Sequence, residues 1–130
     1  MKIYDNSNNL LAIVIPNDDI RQGKNFVTNN DNEFQLAAFS LDKGEKIERH
    51  FHPDQDRTIR HTSEVLVLID GEMDIEIYDN DFNLIDEIKL FKHDTIGFFG
   101  GGHGIKLSTN CKFIEVKQGP FDEKTDKKRF

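Results

Sequence analysis

The chain has 130 residues, 32% of them charged, a formal net charge of −7 and a single cysteine, Cys111. That length fits one domain around one core, and the acidic balance argues against nucleic acid or an anionic membrane as partner, since both select basic patches. A lone cysteine makes no internal disulfide and fits a reducing cytosol. There is no run of about 18 apolar residues to span a bilayer, and the opening MKIYDNSNN lacks the apolar core of a secretion signal.

The first apolar run, Leu10–Ile15, reads as a strand, either in the core or offered to a second subunit. Asn25–Asn32 reads as a loop, because Asn and Asp side chains compete with the backbone ladder. Strands are predicted next at Glu33–Leu41, Glu45–His52 and Glu64–Ile69, with a turn at Asp42-Lys43-Gly44 and another at Asp70-Gly71. The stretch from Glu72 to Tyr78 alternates polar and apolar without a break, as a half-buried antiparallel strand does. Asp79–Asn83 is turn-rich and joins it to Leu84–Leu90 as a hairpin. Thr95–Phe99, Gly104–Leu107 and Lys112–Lys117 complete the series, with turns at Lys92-His93-Asp94 and Ser108-Thr109-Asn110.

Many short strands with hardly any helical period predict an all-β sandwich or barrel. One domain is expected over 1–130, with N-terminal strands and a loop to residue 32, a barrel core over 33–117 and a tail over 118–130. The tail's mixed cluster, Lys124 to Arg129 with Asp126 inside it, reads as solvated. The segment Phe121–Phe130 is expected as a short helix, or as an extended tail docked on the barrel or on a partner subunit.

The chemistry gathers between Gly44 and Gly71. His50 and His52 are two residues apart and share a strand face, about 6.6 Å between Cα atoms, so they can converge on one metal ion or small polar ligand. Glu64 lies in line with Leu66 and Leu68, in a run apolar on both faces, where an uncompensated carboxylate is costly. His103 follows three glycines and precedes a fourth, which permit close backbone approach to a ligand. His61 points away from Glu64 by strand parity, His93 falls in a turn, and both are left out of the site; Cys111 reads as a small apolar residue in a late strand.

Gly44, His50-x-His52, Glu64 and Gly71 together resemble the first motif of the cupin superfamily, and His93-Asp94 to His103 resembles the second. The resemblance covers about half the chain. It implies a double-stranded β-helix (jelly-roll) barrel that holds one divalent transition metal, Fe, Mn, Ni, Co or Zn, through His50, His52, Glu64 and His103. Eleven residues separate His52 from Glu64, more than the motif usually has, and this insertion carries Arg57 and Arg60. Phe99 stands near the second motif's usual proline, and Leu107 replaces its customary asparagine.

The resemblance implies a metal-dependent enzyme acting on a small polar metabolite such as a sugar or keto acid, as an isomerase, dioxygenase or lyase. Arg57 or Arg60 is placed to hold an anionic substrate group. Two alternatives stand beside it. One is a metal-free sugar-nucleotide isomerase with His50 or His52 as general base, since imidazole titrates near working pH. The other is a non-catalytic cupin that binds a small ligand. A homodimer is also expected from the resemblance.

Overall fold

A computed structural model describes residues 1–130 and contains ten β-strands and one turn of 3-10 helix. The strands are β1 (Lys2–Tyr4), β2 (Leu10–Ile15), β3 (Gly23–Phe26), β4 (Ala37–Ser40), β5 (Glu64–Asp70), β6 (Met73–Tyr78), β7 (Leu84–Leu90), β8 (Thr95–Phe98), β9 (Gly102–Leu107) and β10 (Lys112–Lys117). They form a five-stranded sheet ordered β1-β2-β8-β5-β10, a three-stranded sheet ordered β7-β6-β9, and the two-stranded hairpin β3-β4. Every pairing is antiparallel. The three sheets are not joined into a closed barrel. No helix is long and apolar enough to cross a membrane.

The period-2 pattern of β6 sets the main core. Met73, Ile75 and Ile77 are fully buried against Leu66, Leu68, Ile96 and Phe98 of the larger sheet. Burying each such side chain stabilises the fold by about 1.5–3 kcal/mol. On the far face of the larger sheet a smaller cluster, Ile13, Ile15 and Phe99, is packed by Phe34, Leu36 and Ala38. Thus β2, β5 and β8 read as apolar runs because both their faces are covered.

Turn chemistry holds the register. The Asp79 carboxylate accepts the N–H groups of Asp81 and Asn83, each at 2.9 Å, and closes the β6–β7 hairpin. Gly71 turns β5 into β6 at φ +95°, with the Asn110 carbonyl where a side chain would stand. Buried Asp94 accepts the N–H of Phe91 at 3.0 Å and of Asn17 at 2.9 Å, tying the turn before β8 to the end of β2.

The structure departs from the sequence expectations in two places and decides between the two readings of a third segment. Glu45–His52 is not a strand: residues 41–62 are exposed throughout, and 45–60 carry no regular structure. Neither face of that segment is apolar, so no burial fixes it in a sheet. Two short strands are additional, Lys2–Tyr4 and Gly23–Phe26, the latter paired with β4 and carrying Phe26 edge-on to Phe39 at 5.8 Å. Leu10–Ile15 lies between β1 and β8 and is buried, so it is an inner core strand with no open edge for a second chain.

Candidate functional site

Glu64 opens β5 and pairs with Phe98 on β8 and Lys117 on β10. Its side chain shares the inner face with Leu66 and Leu68, which is why the strand holds it buried at 7% exposure. Across the gap between the sheets, His103 on β9 is registered with Ile77 on β6, and so faces inward as Ile77 does. The two meet with His103 Nε2 3.7 Å from Glu64 Oε1. That separation is long for a direct hydrogen bond, so each group keeps a free position for a ligand. The His103 ring lies flat on Phe98, centroids 3.9 Å apart and planes 11° apart, which fixes its orientation.

Burial sets the electrostatics of this pair. It pushes the Glu64 carboxyl above its ordinary range, reinforced by nearby Glu115 and opposed by the cations Lys127 and Lys117. Burial lowers His103, and Lys127 lowers it further. Although 3.7 Å would suit an ion pair, both shifts favour the uncharged forms, and desolvation is the larger influence on each. The two proton affinities therefore move toward each other.

The pair lies in a cavity of about 620 Å³ whose walls include Thr62, Glu76, Tyr78, Gly100–Gly104 and Lys117. Glycines 102 and 104 leave the Tyr78 and Glu76 side chains uncovered on the outer side of β9, and the Tyr78 hydroxyl donates to Glu76 at 2.8 Å. The remaining wall comes from Asp126–Phe130, where the chain doubles back after β10.

The other sequence-predicted site residues lie elsewhere. His50 and His52 are exposed on the 45–63 segment, edge-on to each other at 5.2 Å, with His50 Nδ1 2.8 Å from the Glu48 carbonyl oxygen. Arg57 lines a separate polar cleft of about 700 Å³ with Glu33 and Gln118, and bonds Gln55 at 3.2 Å. Arg60 is exposed, and its backbone N–H bonds Glu33. His61 sits 3.8 Å from Glu33, His93 occupies a turn at φ +75°, and Cys111 precedes β10 with Sγ 3.1 Å from the Glu72 carbonyl oxygen. The structure thus brings together Glu64 and His103 but not the His50/His52 pair.

No group of three or more His, Cys, Asp or Glu side chains is arranged to hold a metal ion. Two donors at Glu64 and His103 fall short of the set the cupin resemblance implies, so the residues as placed do not fit that centre. Sequence reasoning passed over Glu76, Tyr78, Lys117 and Asp126. The even parity of Glu76 and Tyr78, opposite to buried Ile75 and Ile77, marks them as one face, but nothing local marks that face as a cavity wall. Comparison of the chain with protein-family models, curated proteins and solved structures returns no match.

Proposed function

We propose that this chain is a cupin-like protein that binds a small polar metabolite, such as a sugar or keto acid, between its two sheets and moves a proton on it. The observation that carries the reading is the buried Glu64 carboxyl 3.7 Å from a ring-stacked His103 within a cavity of metabolite size. A proton at carbon next to a carbonyl is removed by one group and returned through the other, the pattern of an isomerase or epimerase. Burial favours the uncharged form of each group, a protonated Glu64 carboxyl and a neutral His103 ring, which leaves one proton donor and one proton acceptor side by side. Phe98 keeps the imidazole plane fixed during transfer. Non-catalytic binding in the same cavity is the outcome if ligands bind without turnover.

Melting curves of the purified protein against a panel of aldoses, ketoses and 2-keto acids test the binding. A compound that raises Tm of the wild type should fail to do so for His103→Ala and should still do so for His50→Ala. Loss of the response in His50→Ala with retention in His103→Ala would overturn the assignment of the site.

A second reading rests on the proximity of His50 and His52 to each other. If their segment folds onto Glu64 and His103, the four side chains would supply the donors of a divalent transition metal centre. Elemental analysis of natively purified protein decides it: stoichiometric metal lost in His50→Ala and kept in His61→Ala supports it, and full metal in the His50→Ala variant sinks it. A homodimer is best accommodated at the edge strand β10, where Phe113, Ile114 and Val116 are exposed.

A further inference from the structure

The residues after β10 do more than trail into solvent. A turn centred on Asp122 reverses the chain, its carboxylate accepting the Lys124 N–H at 2.9 Å and its carbonyl the Asp126 N–H at 2.9 Å. Two anchors then hold the returning segment. Asp126, its side chain 9% exposed, pairs with Lys117, 14% exposed, beside the Glu64–His103 pair. Phe130 crosses the edge of β9 to its outer side, stacking on Phe82 at 4.4 Å and meeting Tyr78 edge-on at 5.1 Å. Gly102 makes room for that ring, which would lie 2.8 Å from a Cβ there.

Between the anchors Lys127, Lys128 and Arg129 line the cavity. None has a carboxylate within ion-pair distance, whereas Lys117 is paired with Asp126. Lys127 is close enough for its charge to bear on both Glu64 and His103. In a chain of net charge −7, three cations without an ion-pair partner on the wall beside a buried carboxyl–imidazole pair suit a negative group on the ligand.

We propose that the segment Asp126–Phe130 is a strap forming one wall of the ligand site, and that Lys127 holds an anionic group, phosphate or carboxylate, of the bound metabolite. The inference rests on the reading of the Glu64–His103 cavity as the ligand site and names the ligand's charge. The two anchors fix the ends of the strap, and the anion bridges its middle to the cavity. An ammonium serves as a point charge for either anion. Arg57 and Arg60, the cations expected from sequence to do this, lie outside the cavity.

The test uses the full chain with inorganic phosphate and with pyruvate as separate probes, at ionic strength held constant with sodium chloride. At least one probe should raise Tm in a saturable way, and which one acts identifies the anion. Lys127→Ala should weaken the apparent affinity by about tenfold or more, as expected for loss of one charge-assisted contact. Lys124→Ala, on the exposed turn outside the cavity, should leave it unchanged. Phe130→Ala, which releases one anchor and leaves the core intact, should weaken it as well. No response to either anion in the wild type, an unchanged response in Lys127→Ala, or an equal loss in Lys124→Ala would each overturn the proposal. Glu64→Gln separates the two ideas: anion binding kept in that variant and lost in Lys127→Ala supports the strap even where no metabolite is turned over.

Discussion

Lys117 stands directly opposite Glu64 across the β5–β10 ladder, yet its ammonium pairs with Asp126 of the returning chain. Asp126 holds the Lys117 ammonium above its ordinary range, with Glu115 and Glu64 adding to the effect. The buried carboxyl of Glu64 is thereby left to His103 and to whatever enters the cavity. One contact serves two ends, fastening residues 121–130 and giving the Lys117 ammonium a carboxylate partner other than Glu64.

Removing that contact should loosen the strap without unfolding the sheets. In Asp126→Asn, amide hydrogen exchange over residues 121–130 should rise while the amides of β5 and β6 stay protected. The buried core of Leu66, Met73 and Ile75 does not involve Asp126. Unchanged exchange in the tail would show that the pair does not hold it.

Glu64 should make stability fall as pH rises. Its folded-state proton affinity is raised by burial, so the folded chain binds the proton more tightly than the unfolded chain does. The resulting stabilisation is fully present below the ordinary 4.5 and is lost as pH rises through the raised value. Glu64→Gln removes the cost of the buried charge, so its Tm relative to wild type should be more favourable at pH 8 than at pH 4. Urea midpoints measured at both values check this, and the opposite trend would mean that Glu64 is stabilised as a carboxylate.

His103 acts in the other direction. Burial lowers its proton affinity below the ordinary 6.5, so stability falls as the pH drops from 6.5 through the lowered value and the buried ring is forced to charge. His103→Gln should flatten that part of the profile. Titration of the His103 ring signals by NMR gives the folded-state midpoint, which should lie below the ordinary 6.5.

Two glycines with the same backbone angle should respond differently to alanine. Gly44 and Gly71 both have φ +95°, but a Cβ at Gly44 meets nothing within 4 Å, while one at Gly71 meets Asn110, Cys111 and Thr109. Gly44→Ala should cost about 1–2 kcal/mol, the left-handed penalty alone. Gly71→Ala should cost more, because the turn carrying Ser108–Asn110 must move. Chemical denaturation of the two variants side by side measures the difference.

How far the sequence revealed the molecule depended on whether the signal was local. The alternation from Glu72 to Tyr78 led to a strand whose Met73, Ile75 and Ile77 are buried, because period-2 patterning records a sheet face directly. A carboxylate aligned with Leu66 and Leu68 marked Glu64, since the strand direction carries it into the core. By contrast, β3 is held by pairing with β4 across an Asn-rich segment, a long-range contact that no local window contains. The His50/His52 spacing pointed to a site only if Glu45–His52 were a strand, and a segment with one polar face and one that mixes Ile47 and Phe51 with Glu45 and Arg49 has no apolar face to hold it in one. The strap was legible only as a tail able to dock, because its anchors, Lys117 and the Tyr78/Phe82 ring pair, come from other elements.

Solvent deuterium incorporation tests the central claim most directly. A metabolite that raises Tm of the wild type is incubated with the protein in D2O, and exchange at the carbon next to its carbonyl is followed by NMR. Wild type should incorporate deuterium, Glu64→Gln should be slower by about 10²-fold or more while still binding the compound, and His50→Ala should match wild type. Exchange that persists in Glu64→Gln and disappears in His50→Ala would contradict the account.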